Sequence, residues 1–358
     1  MHSQSQSQSK LNKALRKAAE DGSITEIQSL LDRHADINAH DLYDNTPLHY
    51  ASKNGRHQCI ELLLDRHADL NARSKNNDRP LHYASMKGHH QCVELLLDRH
   101  ANIYARNESK ATPIHLASMN GHHQCVELLL DQQADVNAPN ENNETPLHFA
   151  SMNGHHQCIA LLLDRQADIH ARDVIEQTPL HYASKNGRHQ CIELLLDRHA
   201  DINTLSKMSD KPLHYASMNG HHQCIELLLD RQADIHARGF IDETPLHYAS
   251  MNGHHQCVKL LLDRHADINT LSNLYHTPLH LASMSGHHQC VELLLDRLGN
   301  IQARNEVDDE LLHLASKKGH HQCVEPLLDR HADPNTSDRS NKTPLHHASF
   351  KGRHRCIE

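Results

Sequence analysis

The sequence lacks the features of several large classes of protein. It has no Trp and only three Phe, and its longest uninterrupted apolar run, residues 158–163, is far shorter than the roughly 18 residues that a membrane helix needs. We therefore expect no membrane insertion. The first ten residues lack both the basic region and the apolar core of a secretory signal. We expect an intracellular, reducing location that is cytoplasmic, with a nuclear location left open.

Hydrophobic content and basic charge are also low. Hydrophobic residues make up 37% of the 358-residue chain, below the roughly 45–50% usual for soluble domains, so a single large core is not expected. The net charge is −9, from 36 Lys and Arg against 45 Asp and Glu. No basic face of the kind that binds nucleic acid is present in the pattern, and we predict no nucleic-acid partner. Histidine alone is in great excess, with 39 residues.

A 33-residue period accounts for this composition. The ten cysteines, from Cys59 to Cys356, recur every 33 residues without a slip, and eleven of the thirteen glycines keep the same step. So do 33 of the 39 histidines, in four positions of the repeat. Periods of this length are typical of repeat architectures, in which each unit buries its apolar face only against its neighbours.

The repeat at residues 112–144 shows which secondary structure the sequence predicts for every repeat. Thr112 can cap a helix, and Pro113 suits its first turn, where a missing N–H costs nothing. Gly121 permits a sharp reversal into a second helix, whose apolar stripe consists of Cys125, Val126, Leu129 and Leu130. Residues 135–144, rich in Asn, predict an extended loop or hairpin, which we call the finger.

These residues resemble the ankyrin repeat. The matching elements are Thr-Pro-Leu-His at residues 46–49, Gly-His at 88–89, Leu-Leu at 129–130 and Ala-Asp-Val-Asn-Ala at 134–138. The resemblance implies an all-α solenoid of stacked helix-turn-helix units with projecting β-hairpin or loop fingers. It also implies a noncatalytic scaffold or adaptor that binds a protein or peptide, and a structural hydrogen-bonding role for the helix-start histidines.

The restarts of the repeat predict the domain organisation. We expect a disordered Ser/Gln-rich tail at residues 1–10, a capping repeat at 11–45, nine full repeats at 46–342 and a partial repeat at 343–358. Because the sequence stops inside a second helix, an alternative is the regulatory or targeting region of a larger, truncated protein such as a kinase, ubiquitin ligase, channel or translocated microbial effector. The repeat that begins at Glu310 departs from the pattern, since Glu310 and Leu311 replace Thr-Pro and Pro326 falls inside the second helix.

The cysteines and histidines do not predict a reactive or metal site. Equivalent helices of neighbouring repeats lie about 8–10 Å apart, beyond the roughly 7 Å limit for a disulfide, so each Cys is expected to be a small buried core residue. His122 and Cys125 have a spacing that metal sites use, but Cys125 lies on the inward stripe. We predict no metal, no cofactor and no enzymatic activity, because none of the usual catalytic motifs occurs.

Histidine content does predict a pH effect. Model imidazoles titrate near pH 6.5, so we expect acidification below about pH 6 to unfold or expand the array by repulsion and by charging buried rings.

A partner is expected where otherwise identical repeats differ. One such place is the exposed end of the first helix and the position three residues before it; the candidates there are Tyr182, Lys185, Tyr215, Met218, Tyr248, Met251 and Met284. The other is the central fingers, with candidates Val174, Ile175, Met208, Phe240, Ile241, Leu274 and Tyr275. Two alternatives stay open: the rings pack between repeats, or neighbouring fingers bury their apolar tips against one another. We expect a monomer that holds its partner along residues 170–280.

Overall fold

A computed structural model of the protein describes residues 2–298, 305–329, 332–338 and 340–357. The chain forms two compact units, unit 1 comprising Met1–Ala183 and Glu193–Ala200, and unit 2 comprising Ser184–Ile192 and Asp201–Glu358. Across the described ranges the secondary structure is helical and contains no strand. The predicted all-α class is therefore confirmed.

The helices follow one another in pairs, one pair to a repeat. Their bounds are α1 His2–Asp21 and α2 Ile24–Asp32, α3 Pro47–Lys53 and α4 His57–Asp65, α5 Pro80–Lys87 and α6 His90–Asp98, α7 Pro113–Met119 and α8 His123–Asp131, α9 Pro146–Asn153 and α10 His156–Asp164, α11 Pro179–Lys185 and α12 His189–Asp197. They continue with α13 Pro212–Met218 and α14 His222–Asp230, α15 Pro245–Met251 and α16 His255–Asp263, α17 Pro278–Ser285 and α18 His288–Leu298, α19 Asn305–Lys318 and α20 His321–Asp329, and α21 Pro344–Phe350 with a 3₁₀ turn at His354–Cys356.

Within each unit the two helices of a repeat pack on their counterparts. In unit 1 the first helices α1, α3, α5, α7 and α9 contact one another in sequence, and so do the second helices α2, α4, α6, α8 and α10. In unit 2 the same holds for α13, α15, α17, α19 and α21 and for α14, α16, α18 and α20. Each repeat thus buries its apolar stripe between its neighbours, as the short helices require.

The core repeats the same side chains at every level. In one repeat Leu147, Ala150, Cys158, Ile159 and Leu162 are all fully buried. Burial of each large aliphatic side chain stabilises the fold by about 1.5–3 kcal/mol. All ten cysteines are unpaired; nine are buried and Cys356 is half-buried. Burial raises the pKa of Cys125 to about 12, so this thiol stays protonated and behaves as an apolar core group.

The turns hold residues other than glycine in left-handed conformations. After the second helix His67 has φ 65° and Gln133 has φ 65°, and in the fingers Asn77 has φ 58°. Glycine adopts this region with least strain, so these residues strain the turns more than glycine would. Gly121, at φ 77°, is needed for a second reason, because a Cβ there would lie 2.5 Å from Nδ1 of His155 in the next repeat.

Two segments differ from the sequence prediction. Residues 2–10, expected to be disordered, form the first part of α1. They contain no Gly or Pro, and the Gln8 amide donates to Asn12 Oδ1 at 3.1 Å and to the His34 carbonyl at 2.9 Å, which holds this segment to the first repeat.

The second difference is that α19 begins at Asn305, well before the position of the usual helix start. In other repeats a proline at the first helical position disfavours helix in the preceding residue. Leu311 replaces that proline, so the helix extends backward through residues that elsewhere form the finger.

Candidate partner-binding surface

The helix-start histidine ties each repeat to its own cap and to the next finger. The backbone N–H of Thr112 donates to His115 Nδ1 at 3.0 Å, and the Thr112 hydroxyl lies 2.8 Å from the same nitrogen. Nε2 of His115 lies 3.2 Å from the carbonyl of Glu144 at the end of the following finger. Because Nδ1 accepts a backbone N–H, the ring is neutral with its proton on Nε2. Burial lowers the pKa of His115 to about 4, which makes this position structural.

A second histidine fixes the end of several first helices. Nε2 of His254 lies 3.0 Å from the Met218 carbonyl, and Nε2 of His320 lies 3.0 Å from the Met284 carbonyl. The backbone at the helix end is therefore held from the following repeat. Met218, Met251 and Met284 are half-buried, and Lys185 is exposed, so these predicted residues offer side-chain surface to a partner.

The predicted tyrosines are placed differently. Tyr182, Tyr215 and Tyr248 are each less than a tenth exposed. The rings of Tyr182 and Tyr248 stand edge-on to the helix-start histidine of the preceding repeat, with ring centroids 5.2 Å from His148 and 5.7 Å from His214. Their burial agrees with the alternative that these rings pack between repeats, and it leaves the three tyrosines little side-chain surface to offer a partner. The sequence prediction included these tyrosines because they lie three residues before the Met positions on the same helix. A ring at that position also reaches the neighbouring helix, which buries it.

The tyrosine hydroxyls connect the helices to the fingers. The Tyr182 hydroxyl lies 2.7 Å from Glu144 Oε1 and 2.8 Å from Asp173 Oδ2. Burial raises the pKa of Tyr182, and the hydrogen bonds to these two carboxylates raise it further. In unit 2 the Tyr248 hydroxyl donates to Asp210 Oδ1 at 3.1 Å. The finger bases that contain Asp173 and Asp210 are thereby held by Tyr182 and Tyr248.

The apolar finger tips are exposed. In unit 1 Val174 and Ile175 are about half exposed. In unit 2 Met208 is 48%, Phe240 60%, Leu274 60% and Tyr275 80% exposed, while Ile241 is intermediate. The alternative that fingers bury these side chains against one another does not hold for the exposed residues. Their exposure meets the first requirement for contact with a partner.

Other exposed apolar residues were missed by the sequence prediction. Leu42 and Tyr43 form the tip of the first finger and are 91% and 67% exposed, and Tyr104 is 58% exposed. Leu205 and Leu271 in the fingers of unit 2 were not missed, since the sequence already marks them as apolar finger residues, and they are 45% and 46% exposed. The sequence could have predicted Leu42 and Tyr43 as an exposed apolar tip, because they are two adjacent apolar residues in a finger and the other early fingers are polar at these positions.

The charge of the helix ends varies within both units. Lys53 and Lys87 in unit 1 and Lys185 in unit 2 are charged. Three successive helix ends of unit 2, Met218-Asn219, Met251-Asn252 and Met284-Ser285, carry no charge. Depletion of charge, with methionine and aromatic enrichment, is typical of the core of a protein interface.

The repeat geometry agrees with sequence and structure comparisons. A family model described as ankyrin repeats (3 copies) matches residues 15–107, 100–173, 170–239 and 238–305, and one described as ankyrin repeats (many copies) matches residues 312–358. The chain belongs to the ankyrin-repeat family. Ankyrin repeats are a general protein-interaction fold and typically carry no catalytic site.

Among solved structures, the human ASB11 ankyrin repeat domain is similar to this ankyrin-repeat chain. It has 28% sequence identity and a TM-score of 0.58, and the match covers 62% of this chain and 99% of that one. Because 545 solved chains match significantly, the fold by itself does not identify a partner. No curated protein matches significantly. Of the helices in the described ranges, none is long and apolar enough to cross a membrane.

Proposed function

We propose that the chain is a noncatalytic scaffold or adaptor that binds a protein or peptide through the apolar surface of unit 2. We define this surface as the finger tips Met208, Phe240, Ile241, Leu274 and Tyr275 together with the helix-end residues Met218, Met251 and Met284. The observation that carries the proposal is the exposure of Phe240 and Tyr275, at 60% and 80%. Exposed apolar groups rimmed by polar ones are a mark of a contact surface.

The finger tips and the helix ends can act together. Tyr248 reaches the preceding finger through its bond to Asp210, and Met251 lies one helical turn after Tyr248 on α15. Residues three apart on a helix share a face. Methionine side chains adapt to different partner shapes, whereas the rigid ring of Phe240 provides an anchor of the kind that dominates binding energy.

Location and assembly are part of the same proposal. All ten thiols are unpaired, which supports a reducing, cytoplasmic location. We propose a monomeric scaffold, which size-exclusion chromatography with light scattering would test.

Substitution of the finger tips tests the function directly. The full chain is immobilised, proteins retained from a cell extract are quantified by mass spectrometry, and the wild type is compared with the Phe240→Ser/Tyr275→Ser variant. The Tyr104→Ser variant is the matched control, because Tyr104 is 58% exposed and lies in unit 1. We expect at least one retained protein to fall about tenfold or more with the double variant, as loss of an interface anchor requires, and to be unchanged with the control. Equal retention by all three chains would contradict the proposed surface.

A further inference from the structure

The first three fingers of unit 1, residues 36–45, 69–78 and 102–111, are joined to one another in the same way. One hydrogen bond joins their tips and one joins their bases. At the first junction these bonds are Lys75 N–H to the Tyr43 carbonyl at 2.9 Å and Asp69 N–H to Asn38 Oδ1 at 2.8 Å, and at the second they are Glu108 N–H to the Asn76 carbonyl at 2.8 Å and Asn102 N–H to Asn71 Oδ1 at 3.2 Å. Side chains at equivalent positions of the repeat therefore stand in equivalent places at the two junctions.

Acidic side chains line the first junction. An open cavity of about 290 Å³ lies there, and its lining includes His40, Asp44, Thr46, Asp69 and Arg73. Nδ1 of His40 lies 3.0 Å from Asp44 Oδ1. Two carboxylates thus face the basic side chains of this junction.

The second junction has arginines and no carboxylate at the equivalent positions. Its residues are Arg73, Asn77, Arg79, Asn102 and Arg106, in place of His40, Asp44, Thr46, Asp69 and Arg73. We call these five residues the arginine junction. All of them belong to unit 1, in a chain whose net charge is −9, so the excess of positive charge is local.

In other repeats, cations at these positions are paired with carboxylates of the chain. The pairs are Arg172 with Glu176 at 3.7 Å, Arg238 with Asp242 at 3.9 Å and Lys211 with Asp234 at 3.0 Å. Asn77 occupies the position of Glu176 and Asp242, and Asn102 occupies the position of Asp234. Among the residues that the structure describes, Arg73, Arg79 and Arg106 form no ion pair. The arginine junction therefore lacks two carboxylates that its repeat positions carry elsewhere.

The arginines are close enough to repel one another. Nη1 of Arg79 donates to Asn71 Oδ1 at 3.0 Å, and this side chain is half-buried. Burial lowers the pKa of Arg79, the charge of Arg73 lowers it further, and Asp69 opposes both. Like charges held together in a partly buried place favour the binding of an anion, because an opposite charge offsets their repulsion.

Two further acidic residues belong to the same fingers. Asp78 is buried and accepts a hydrogen bond from Asn107 Nδ2 at 3.0 Å, and Glu108 is exposed at the finger tip. Arg73 and Arg106 are exposed, so a partner can reach both guanidinium groups.

We propose that the arginine junction binds an acidic segment of a protein partner, whose Asp or Glu side chains take the places that carboxylates of the chain occupy in other repeats. Guanidinium groups bind carboxylates through two parallel N–H···O bonds. Because carboxylates are missing at both Asn77 and Asn102, the segment carries at least two acidic residues. This surface lies in unit 1, apart from the apolar residues of unit 2, and is a second binding site beyond the proposed function.

Removal of the exposed arginines tests the site. Rhodamine-labelled hexa-aspartate is titrated with the full chain at low ionic strength, where screening is weak, and binding is followed by fluorescence anisotropy. We expect saturable binding that Arg73→Gln/Arg106→Gln weakens about fivefold or more, as loss of two exposed ion pairs allows. The matched control is Arg172→Gln/Arg238→Gln, which removes the same charge from the same position of the repeat. It should bind within about twofold of the wild type, because those arginines are already paired.

Restoration of the carboxylates tests the site from the other side. Asn77→Asp/Asn102→Asp gives the chain the carboxylates found in other repeats and should weaken hexa-aspartate binding about fivefold or more. Asn142→Asp/Asn143→Asp adds the same charge to an exposed finger that has Pro139 at the arginine position, and it should leave binding nearly unchanged. Far-ultraviolet circular dichroism of each variant reports that the repeats stay folded.

Four results would overturn the proposal. They are no saturable binding up to about 1 mM peptide, equal weakening by the two arginine double variants, undiminished binding by Asn77→Asp/Asn102→Asp, and displacement of the peptide by an oligothymidylate of equal charge at a lower concentration than by unlabelled hexa-aspartate. The last result would identify a nucleic acid as the better partner.

These outcomes are separate from those of the proposed function. The Phe240→Ser/Tyr275→Ser variant should bind hexa-aspartate as the wild type does, and its loss of a protein partner would persist even if the arginine junction bound no peptide. Tyr104, the control position for unit 2, is directed toward the following repeat, where its hydroxyl donates to the Gln133 carbonyl at 3.1 Å, and it does not belong to the arginine junction.

Discussion

At the residue scale, the buried histidines show how one side chain can serve two repeats. His115 accepts the Thr112 N–H at Nδ1, and its Nε2 faces the carbonyl of Glu144. A proton added at Nδ1 would face the Thr112 N–H, so protonation breaks the arrangement. The groups that face the ring electrostatically are Arg106, which disfavours its protonation, and Glu144, which favours it, and burial outweighs both to lower the pKa of His115 to about 4.

The pH dependence of stability follows from this arrangement. The folded-state pKa of about 4 lies below the unfolded value near 6.5, so the stabilisation is fully present above pH 6.5. It is lost as pH falls from about 6.5 to 4, by about 1.4 kcal/mol per pH unit for each such histidine. His115→Gln should therefore reduce the slope of unfolding free energy against pH in this window, as measured by urea titration. His90→Gln, at the exposed start of α6, is the control; equal slopes for the two variants would show that His115 is not the titrating group.

At the element scale, proline explains which helix starts the sequence predicts correctly and which one it does not. The helices at Pro113 and Pro245 begin where Thr-Pro places them. Absence of proline at Leu311 was visible in the sequence, but how far α19 would extend depends on its packing against α17. Burial of Tyr182 and Tyr248 likewise could not be read from helical spacing, because it depends on the neighbouring repeat. The exposed tips Phe240 and Tyr275 were predictable, since fingers contribute little to the repeated core.

Helix α20 carries a proline in its interior, Pro326, where the equivalent residue in α8 is Leu128. An interior proline removes one backbone hydrogen bond and costs about 3 kcal/mol. Pro326→Leu should therefore slow amide hydrogen exchange within α20, by up to about 3 kcal/mol in opening free energy. Glu325→Ala, at the adjacent exposed position, is expected to leave exchange nearly unchanged. Unaltered protection of α20 in the Pro326→Leu variant would contradict this account of the helix.

At the scale of the whole molecule, each small contribution to the free energy of folding recurs in every repeat, whether it stabilises or destabilises the fold. In the part of the chain that the structure describes, eight buried serine hydroxyls have no hydrogen-bond partner, one in each of eight consecutive first helices. They belong to Ser52, Ser85, Ser118, Ser151, Ser184, Ser217, Ser250 and Ser283. An unpaired buried hydroxyl costs about 1–3 kcal/mol. Because repeat stability is a sum of local and nearest-neighbour contributions, these costs add along each unit.

Replacement of the serines in unit 1 tests that additivity. Ser52→Ala, Ser85→Ala, Ser118→Ala and Ser151→Ala should each raise stability by about 1 kcal/mol, and the four together by roughly their sum. Chemical denaturation of the single and combined variants gives these values. Ser109→Ala, in an exposed finger, should have almost no effect. A combined variant no more stable than the wild type would show that the hydroxyls find partners in solution.

The function proposed for the whole molecule depends on the apolar surface of unit 2. The most direct measurement of it is site-specific photo-crosslinking with benzoylphenylalanine in place of Phe240, compared with the same group in place of Tyr104 in unit 1. The account predicts a discrete adduct with a protein partner from position 240 and none from position 104. No adduct from position 240, or the same adducts from both positions, would contradict it.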